Sequence, residues 1–188
     1  AQTKEPRAVQ PHMDKCFEGI YRVMFSDKDE VYGMISAEGE EVEFDKKIDV
    51  NEGDKKGNVE KWMLEIEAVM RRSLKNICKE SLSAYLNTVR TTWVRKWPGQ
   101  IVLAVNSVHW TTEVEQAIKE YGKDGLESYK DKLNKQIEDI VQLVRTDLNV
   151  QERITLKALV VIDVHARDVV QELIDKDIKS IFDFDWTA

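Results

Sequence analysis

The chain has 188 residues, enough for one domain with a substantial core or for two small helical subdomains. Hydrophobic residues make up 42% and charged residues 34%, with eight glycines and only three prolines, a globular, helix-leaning balance that excludes disordered and fibrous classes. Thirty-five acids against 28 bases give a formal charge of −7, which argues against a broad surface for nucleic acid or an anionic membrane, and equally against direct binding of acidic polymers.

In chain order, AQTKEPRAVQ is polar and has no signal-peptide core. Val9 to Phe25 predicts a helix, with Pro11 near its first turn and Met13, Phe17, Ile20 and Met24 at helical spacing. Glu30 to Phe44 predicts a β-hairpin that turns at Ala37-Glu38-Gly39-Glu40. Gly39 there supplies a positive φ, and Val42 and Phe44 share one face. The polar run Asn51–Gly57 is the strongest loop signal, and it divides the chain into an N-terminal subdomain, 1–56, and a helical-bundle subdomain, 57–188. Asn58 suits an N-cap, and Trp62, Ile66, Val69, Met70, Ser73, Leu74 and Ile77 then predict a long amphipathic helix to about Leu86. Trp93 and Trp97 fall on one face of a further helical stretch that Pro98-Gly99 should end. Ile101 to Ala117 reads as helix, with a new start or a kink at the capping box Thr112/Glu115, and Gly122–Gly125 reads as a turn. Leu126, Leu133, Ile137, Ile140, Val144 and Leu148 form a seam at three- and four-residue steps, the mark of a bundle helix. The expected fold class is therefore mainly α, an elongated helical bundle with one small hairpin.

Candidate chemistry concentrates in QERITLKALVVIDVHARDVVQELI, where Asp163, His165 and Asp168 fall within six residues. On a strand Asp163 and His165 would share a side, as metal ligands do. On a helix they lie about 200° apart around the axis, and only His165 and Asp168 can meet. The stretch has no Gly or Pro and is too long for a strand, while Thr155, Leu159, Ile162, Ala166, Val169 and Leu173 make a helical stripe. The reading is a packed helix pinned to its neighbours by the histidine, the carboxylates and Arg167. A metal-dependent hydrolase survives only if the segment is a strand. RTTWVRKWPGQ interleaves three bases with two tryptophans, as a single-strand stacking platform would, but the tryptophan spacing suits a core seam better. Ser73, Ser81 and Ser83 have neither a neighbouring histidine nor nucleophile-elbow glycines. Neither G-x-x-x-x-G-K-[ST] nor G-x-G-x-x-G occurs, so the segment has no phosphate cradle of its own. Cys16 and Cys78 lack CxxC spacing and read as free, buried thiols of a reducing compartment, with no zinc site. IVLAV and ALVVI are too short to span a bilayer. No site is assigned: catalytic none, cofactor none, metal none. The start at Ala1 without methionine and the apolar end FDWTA read as a piece cut from a longer protein.

Four blocks, MISAEGEEVEF (Met34–Phe44), VEKWMLEIEAVMRRSLK (Val59–Lys75), WPGQIVLAVNSVHWTTEVEQAI (Trp97–Ile118) and RITLKALVVIDVHARDVV (Arg153–Val170), resemble in order and spacing the linker region of axonemal dynein heavy chains. The resemblance covers about Pro11 to Trp186. It implies the carboxy-terminal half of a mainly helical arm that arches over a ring of AAA+ modules, ends just before the first of them, and bends and straightens as ATP turns over. It implies ATP and magnesium in the parent ring but none in this segment, which would itself be no enzyme. It implies the ring of the same heavy chain and other dynein subunits as partners, microtubules only indirectly, and residence in the cytoplasm, cytoskeleton and ciliary or flagellar axoneme. The Asn51–Gly57 connector and Pro98-Gly99 are the expected points of compliance, and the hairpin Glu30–Phe44 is a candidate for contact with the ring. The alternative is a free-standing helical adaptor, which would need an exposed apolar groove.

Overall fold

The computed structural model describes residues 5–187. Contacts divide the chain into two compact units, Ala1–Glu80 and Ser81–Ala188.

In the first unit a 3₁₀ helix, Pro6–His12, runs into the single turn α1, Met13–Cys16, and the chain then enters a three-stranded sheet. The strands are β1, Arg22–Phe25, β2, Glu30–Ile35, and β3, Glu41–Asp49, antiparallel in the order β1-β2-β3. The helix expected over Val9–Phe25 is thus corrected. Phe17 is extended (φ −132°, ψ 123°) and Gly19 takes φ 90°, which reverses the chain, and Val23 then pairs with Met34 as a strand residue. Met13, Ile20 and Val23 are all buried, so the apolar signal was sound, but it arises from a turn and a strand. The edge of β1 is closed by one side chain. Gln10 Nε2 donates to Val23 O (2.7 Å), and Val23 N donates to Gln10 Oε1 (3.1 Å), so the amide takes the place of a neighbouring strand.

The β2–β3 hairpin forms as expected, with Gly39 at φ 84° and Ser36 N bonded to Glu40 O, although β3 continues past Phe44 to Asp49. One hairpin therefore becomes a sheet of three strands. Gly33 is needed where β2 crosses its neighbours, because a Cβ there would lie 2.8 Å from both Met24 Sδ and Val42 O. The connector holds a short 3₁₀ turn, Gly53–Lys55, braced to the next helix by Lys55–Glu65 (2.8 Å) and by an Asp54–Lys61 pair. That helix, α2, Val59–Tyr85, is capped by Asn58 Oδ1 accepting from Lys61 N, and Trp62, Ile66, Val69 and Ser73 are buried along one stripe. Its apolar residues join Val9, Met13, Ile20, Val23, Val31, Ile48 and Val50 in one core.

The second unit begins with the last turn of α2 and continues as α3, Arg90–Trp93, α4, Gly99–Val144, α5, Val150–Asp175, and α6, Phe184–Thr187. Three expectations are corrected. The stretch expected to carry both tryptophans on one helix forms a single turn that includes Trp93 alone and ends there, with Trp97 outside it. Pro98 stands at the N-cap of α4, so Pro98-Gly99 opens a helix. Thr112 starts nothing: its Oγ1 donates to Val108 O inside a continuous helix. The Gly122–Gly125 signal is real but narrow, a break at Gly122 alone (φ 54°, ψ −128°), after which the helix resumes. Leu126, Leu133 and Ile140 are buried along the resumed part, as the seam predicts, and α4 packs against α5. Val114, Ile118, Leu126, Tyr129, Leu133, Val170, Leu173, Ile174 and Ile178 form the core between them.

Candidate functional site

Asp163 settles the question raised by the Asp-His-Asp word. On α5 it follows Leu159 by four and precedes Ala166 by three and Val170 by seven, so helical geometry carries it into the apolar face, where it is 3% exposed. A carboxylate there is tolerated only with a cation and further donors. Arg90 of α3 supplies them: its Nη2 donates to Asp163 Oδ2 (2.7 Å), Asp163 Oδ1 (2.8 Å) and Asn106 Oδ1 (2.8 Å). Asn106, buried on α4, donates its Nδ2 to Asp163 Oδ1 (3.1 Å). Three helices thus meet at one guanidinium–carboxylate–amide cluster. Both carboxylate oxygens are occupied by donors, so the group suits holding helices together and does not suit taking up a substrate proton.

The other members of the word do not join it. His165 and Asp168 are exposed, and Asp168 pairs with its sequence neighbour Arg167 (2.7 Å). The expectation that the histidine, both carboxylates and Arg167 pin the helix therefore holds for Asp163 and for Arg167, whose Nη1 donates to Asn134 Oδ1 of α4 (3.5 Å), but not for His165 or Asp168, and the hydrolase alternative fails because 158–164 is helix. Arg90 and Asn106 are what the sequence reading missed. The available signal was a carboxylate on the apolar stripe of α5, which demands a buried cation, together with the three bases of RTTWVRKW.

Neither tryptophan is a stacking platform in this arrangement. Trp93 is fully buried, donates Nε1 to Ser81 O (3.1 Å) and meets Tyr85 edge-on at 5.0 Å, and Tyr85 in turn stacks on His109 at 4.0 Å. Trp97 is half-buried. Burial pushes the Tyr85 and Tyr129 phenols above their ordinary range, which keeps both neutral. Arg95 bonds Glu152 (2.7 Å), and this bond, with the Asn149 N–H, lowers that carboxyl below its usual range while Glu152 and Asn149 close the capping box of α5. In the first unit Arg72 grips Asp45 with two bonds (2.8 and 2.7 Å), the main cause of that carboxyl's depressed pKa. Ser73 Oγ accepts from Asp45 N (2.9 Å) and donates to Val69 O (2.8 Å), so this serine ties β3 to α2. Ser81 is buried and Ser83 is exposed. The cysteines are free but not buried as expected: Cys16 is exposed and Cys78 half-buried. Among the described residues no cluster of three or more His, Cys, Asp or Glu could hold a metal ion, and no helix is long and apolar enough to cross a membrane.

Residues 1–81 match the family described as "Dynein heavy chain, N-terminal region 2". All 188 residues align with axonemal dynein heavy chains: 45% identity to dynein axonemal heavy chain 12 of Rattus norvegicus, 46% to dynein axonemal heavy chain 3 of Homo sapiens, and 44% to dynein axonemal heavy chain 1 of Mus musculus. The alignment takes in the whole of this chain but only 6%, 4% and 4% of those relatives. The chain is homologous, end to end, to one continuous stretch of a much larger protein type.

Proposed function

We infer that this chain is a segment of the N-terminal region of an axonemal dynein heavy chain, and that it serves as part of the linker, the arm that bends and straightens over the AAA+ ring to produce the power stroke of ciliary or flagellar movement. The observation that carries the reading is the unbroken similarity over all 188 residues to heavy chains named as axonemal, with residues 1–81 matching their N-terminal region. The architecture supports it. A force-bearing element needs packed helices that do not slide, and the Arg90–Asn106–Asp163 cluster ties α3, α4 and α5 at one point. ATP and magnesium then belong to the ring of the parent chain, the nearest partners are that ring and other dynein subunits, and microtubules are engaged only indirectly.

Nucleotide-dependent motion is the discriminating property. In an intact heavy chain whose one reactive thiol is the exposed Cys16, a fluorophore there is paired with a second on the ring. The expected outcome is a distance distribution that shifts between the nucleotide-free and ATP-bound states. A distribution that is the same in every nucleotide state would remove the arm from consideration.

A further inference from the structure

Val150, Ile154, Lys157 and Val161 follow one another on α5 at steps of four, three and four, so they stand in one line along the helix. Leu156, Leu159, Asp163 and Val170 fill the opposite, buried side. In the outward line Val150, Ile154 and Val161 are 69%, 43% and 68% exposed. β-branched side chains lose rotamer freedom in a helix, so three of them on one solvent face weaken α5 with little packing inside the chain to offset it. Arg153 and Lys157 flank them, and among the described residues neither cation is in an ion pair. The two carboxylates of this half of α5 are engaged elsewhere, Glu152 by Arg95 and Asp163 by Arg90. The outward line turns acidic only from Asp168 onward, with Glu172 and Asp175. Val150 to Val161 is therefore an apolar ridge beside two unneutralised cations, on a chain whose net charge is −7.

We propose that this outward ridge of α5 is a docking surface for an acidic amphipathic helix belonging to a separate polypeptide of the motor complex. The docking surface rests on reading the chain as a dynein heavy chain segment only for the complex that supplies the partner; the partner's chemistry comes from the ridge. Apolar side chains at helical spacing along a straight helix are matched by the apolar stripe of a second helix. Arg153 and Lys157 beside that stripe are matched by carboxylates at the edge of the partner's stripe, which neutralise them where they lie. Nucleic acid or an anionic membrane calls for a broad basic field, which two cations on an acidic chain do not make. A second copy is disfavoured by the same charges: any pairing that covers the apolar side chains gathers two Arg153 and two Lys157 in one patch. Sliding the copies until the cations meet Asp168 and Glu172 leaves the valines uncovered. The ridge is roughly 17 Å long, short of the span that buries the about 800 Å² per partner of a permanent interface. The contact is therefore a transient one, steered by charge and weakened by salt.

The test uses the intact heavy chain in its assembled complex, carrying photoreactive p-benzoylphenylalanine at position 154 or 161. Position 108 is the control, because Val108 is a comparably exposed aliphatic residue on α4. After irradiation, cross-linked peptides are mapped by mass spectrometry. The expected result is cross-links from 154 and 161, well above those from 108, into a different polypeptide, at a segment whose carboxylates recur every three or four residues. Arg153→Glu with Lys157→Glu should cut that yield roughly tenfold or more, as the loss of two charge pairs does. Acid-to-lysine changes in the cross-linked segment should then restore it. Yields no higher than at position 108, cross-links confined to the heavy chain, or a yield indifferent to the charge reversal would overturn the docking surface. The outcome is separable from that of the arm. A nucleotide-dependent Cys16 distance with cross-links confined to the heavy chain sinks the docking surface alone, and charge-dependent cross-links to a separate polypeptide with a static Cys16 distance sink the arm alone.

Discussion

Asp163 is the one buried charged residue among the described residues, and the consequence of burying it can be measured. Removing one partner of a buried pair leaves the other charge uncompensated, so Asp163→Ala should destabilise the chain by about 3–5 kcal/mol. Replacing both partners by apolar groups of similar size, Arg90→Met with Asp163→Leu, should recover most of that loss even though it deletes more polar contacts. Urea midpoints followed by circular dichroism, with slopes checked for constancy, report both changes. A single variant as stable as the parent, or a double variant worse than the single, would show that the cluster does not join the helices as described. At this scale the sequence was half legible. The helical wheel separates Asp163 from His165, but it cannot say which of Arg90, Arg95 and Lys96 reaches inward, because that depends on where a one-turn helix 73 residues away docks.

Among the elements, α4 carries the sharpest local constraint. Gly125 packs so closely that a Cβ would stand 2.4 Å from Ala117 O, a backbone atom that cannot swing aside. Gly125→Ala should therefore cost about 1–3 kcal/mol, as overpacking does, against the usual gain from alanine in a helix. A thermal midpoint at or above that of the parent would contradict the close approach. The two glycines thus do different work: Gly122 supplies the break, while Gly125 lets the chain pass. Sequence grammar read both as a single turn because spacing reveals residue type and not φ. The long helices α2 and α5 were legible because each carries its apolar stripe over several turns with a cap at its start. The region Val9–Phe25 was not, since Met13, Phe17, Ile20 and Met24 fit a helical period by coincidence. Only the pairing of Val23 with Met34, a contact across the fold, makes that segment a strand.

Over the whole molecule the pH dependence has a definite sign. Asp45, Asp54, Glu65, Glu152 and Asp183 all have carboxyls held below their ordinary range. Hydrogen bonds from Arg72, Lys61, Lys55 and Arg95 lead in the first four, and backbone N–H groups of Lys179 and Ser180 in the last. A depressed carboxyl binds fewer protons folded than unfolded, so its contribution is present above the ordinary carboxylate range and is lost as pH falls through the folded value. Lys55 and Lys176 are raised by Glu65 and Asp185, so theirs is present below the ordinary lysine range and is lost as pH rises through the raised value. The chain should therefore show a plateau of stability between about pH 5 and pH 10, with an acid limb falling away below about pH 4. Because most of these pairs have at least one exposed partner, added salt should flatten the acid limb more than it lowers the plateau. Glu65 is worth isolating because it is bonded by both Lys46 and Lys55 and is only about a quarter exposed, so Glu65→Gln should remove a share of the acid limb that salt leaves in place. Thermal midpoints from pH 7 down to pH 3, at low and high salt, decide the matter. A midpoint that does not change across that range, or a Glu65→Gln limb identical to the parent's at high salt, would mean that the connector braces contribute nothing to holding 51–57 against α2.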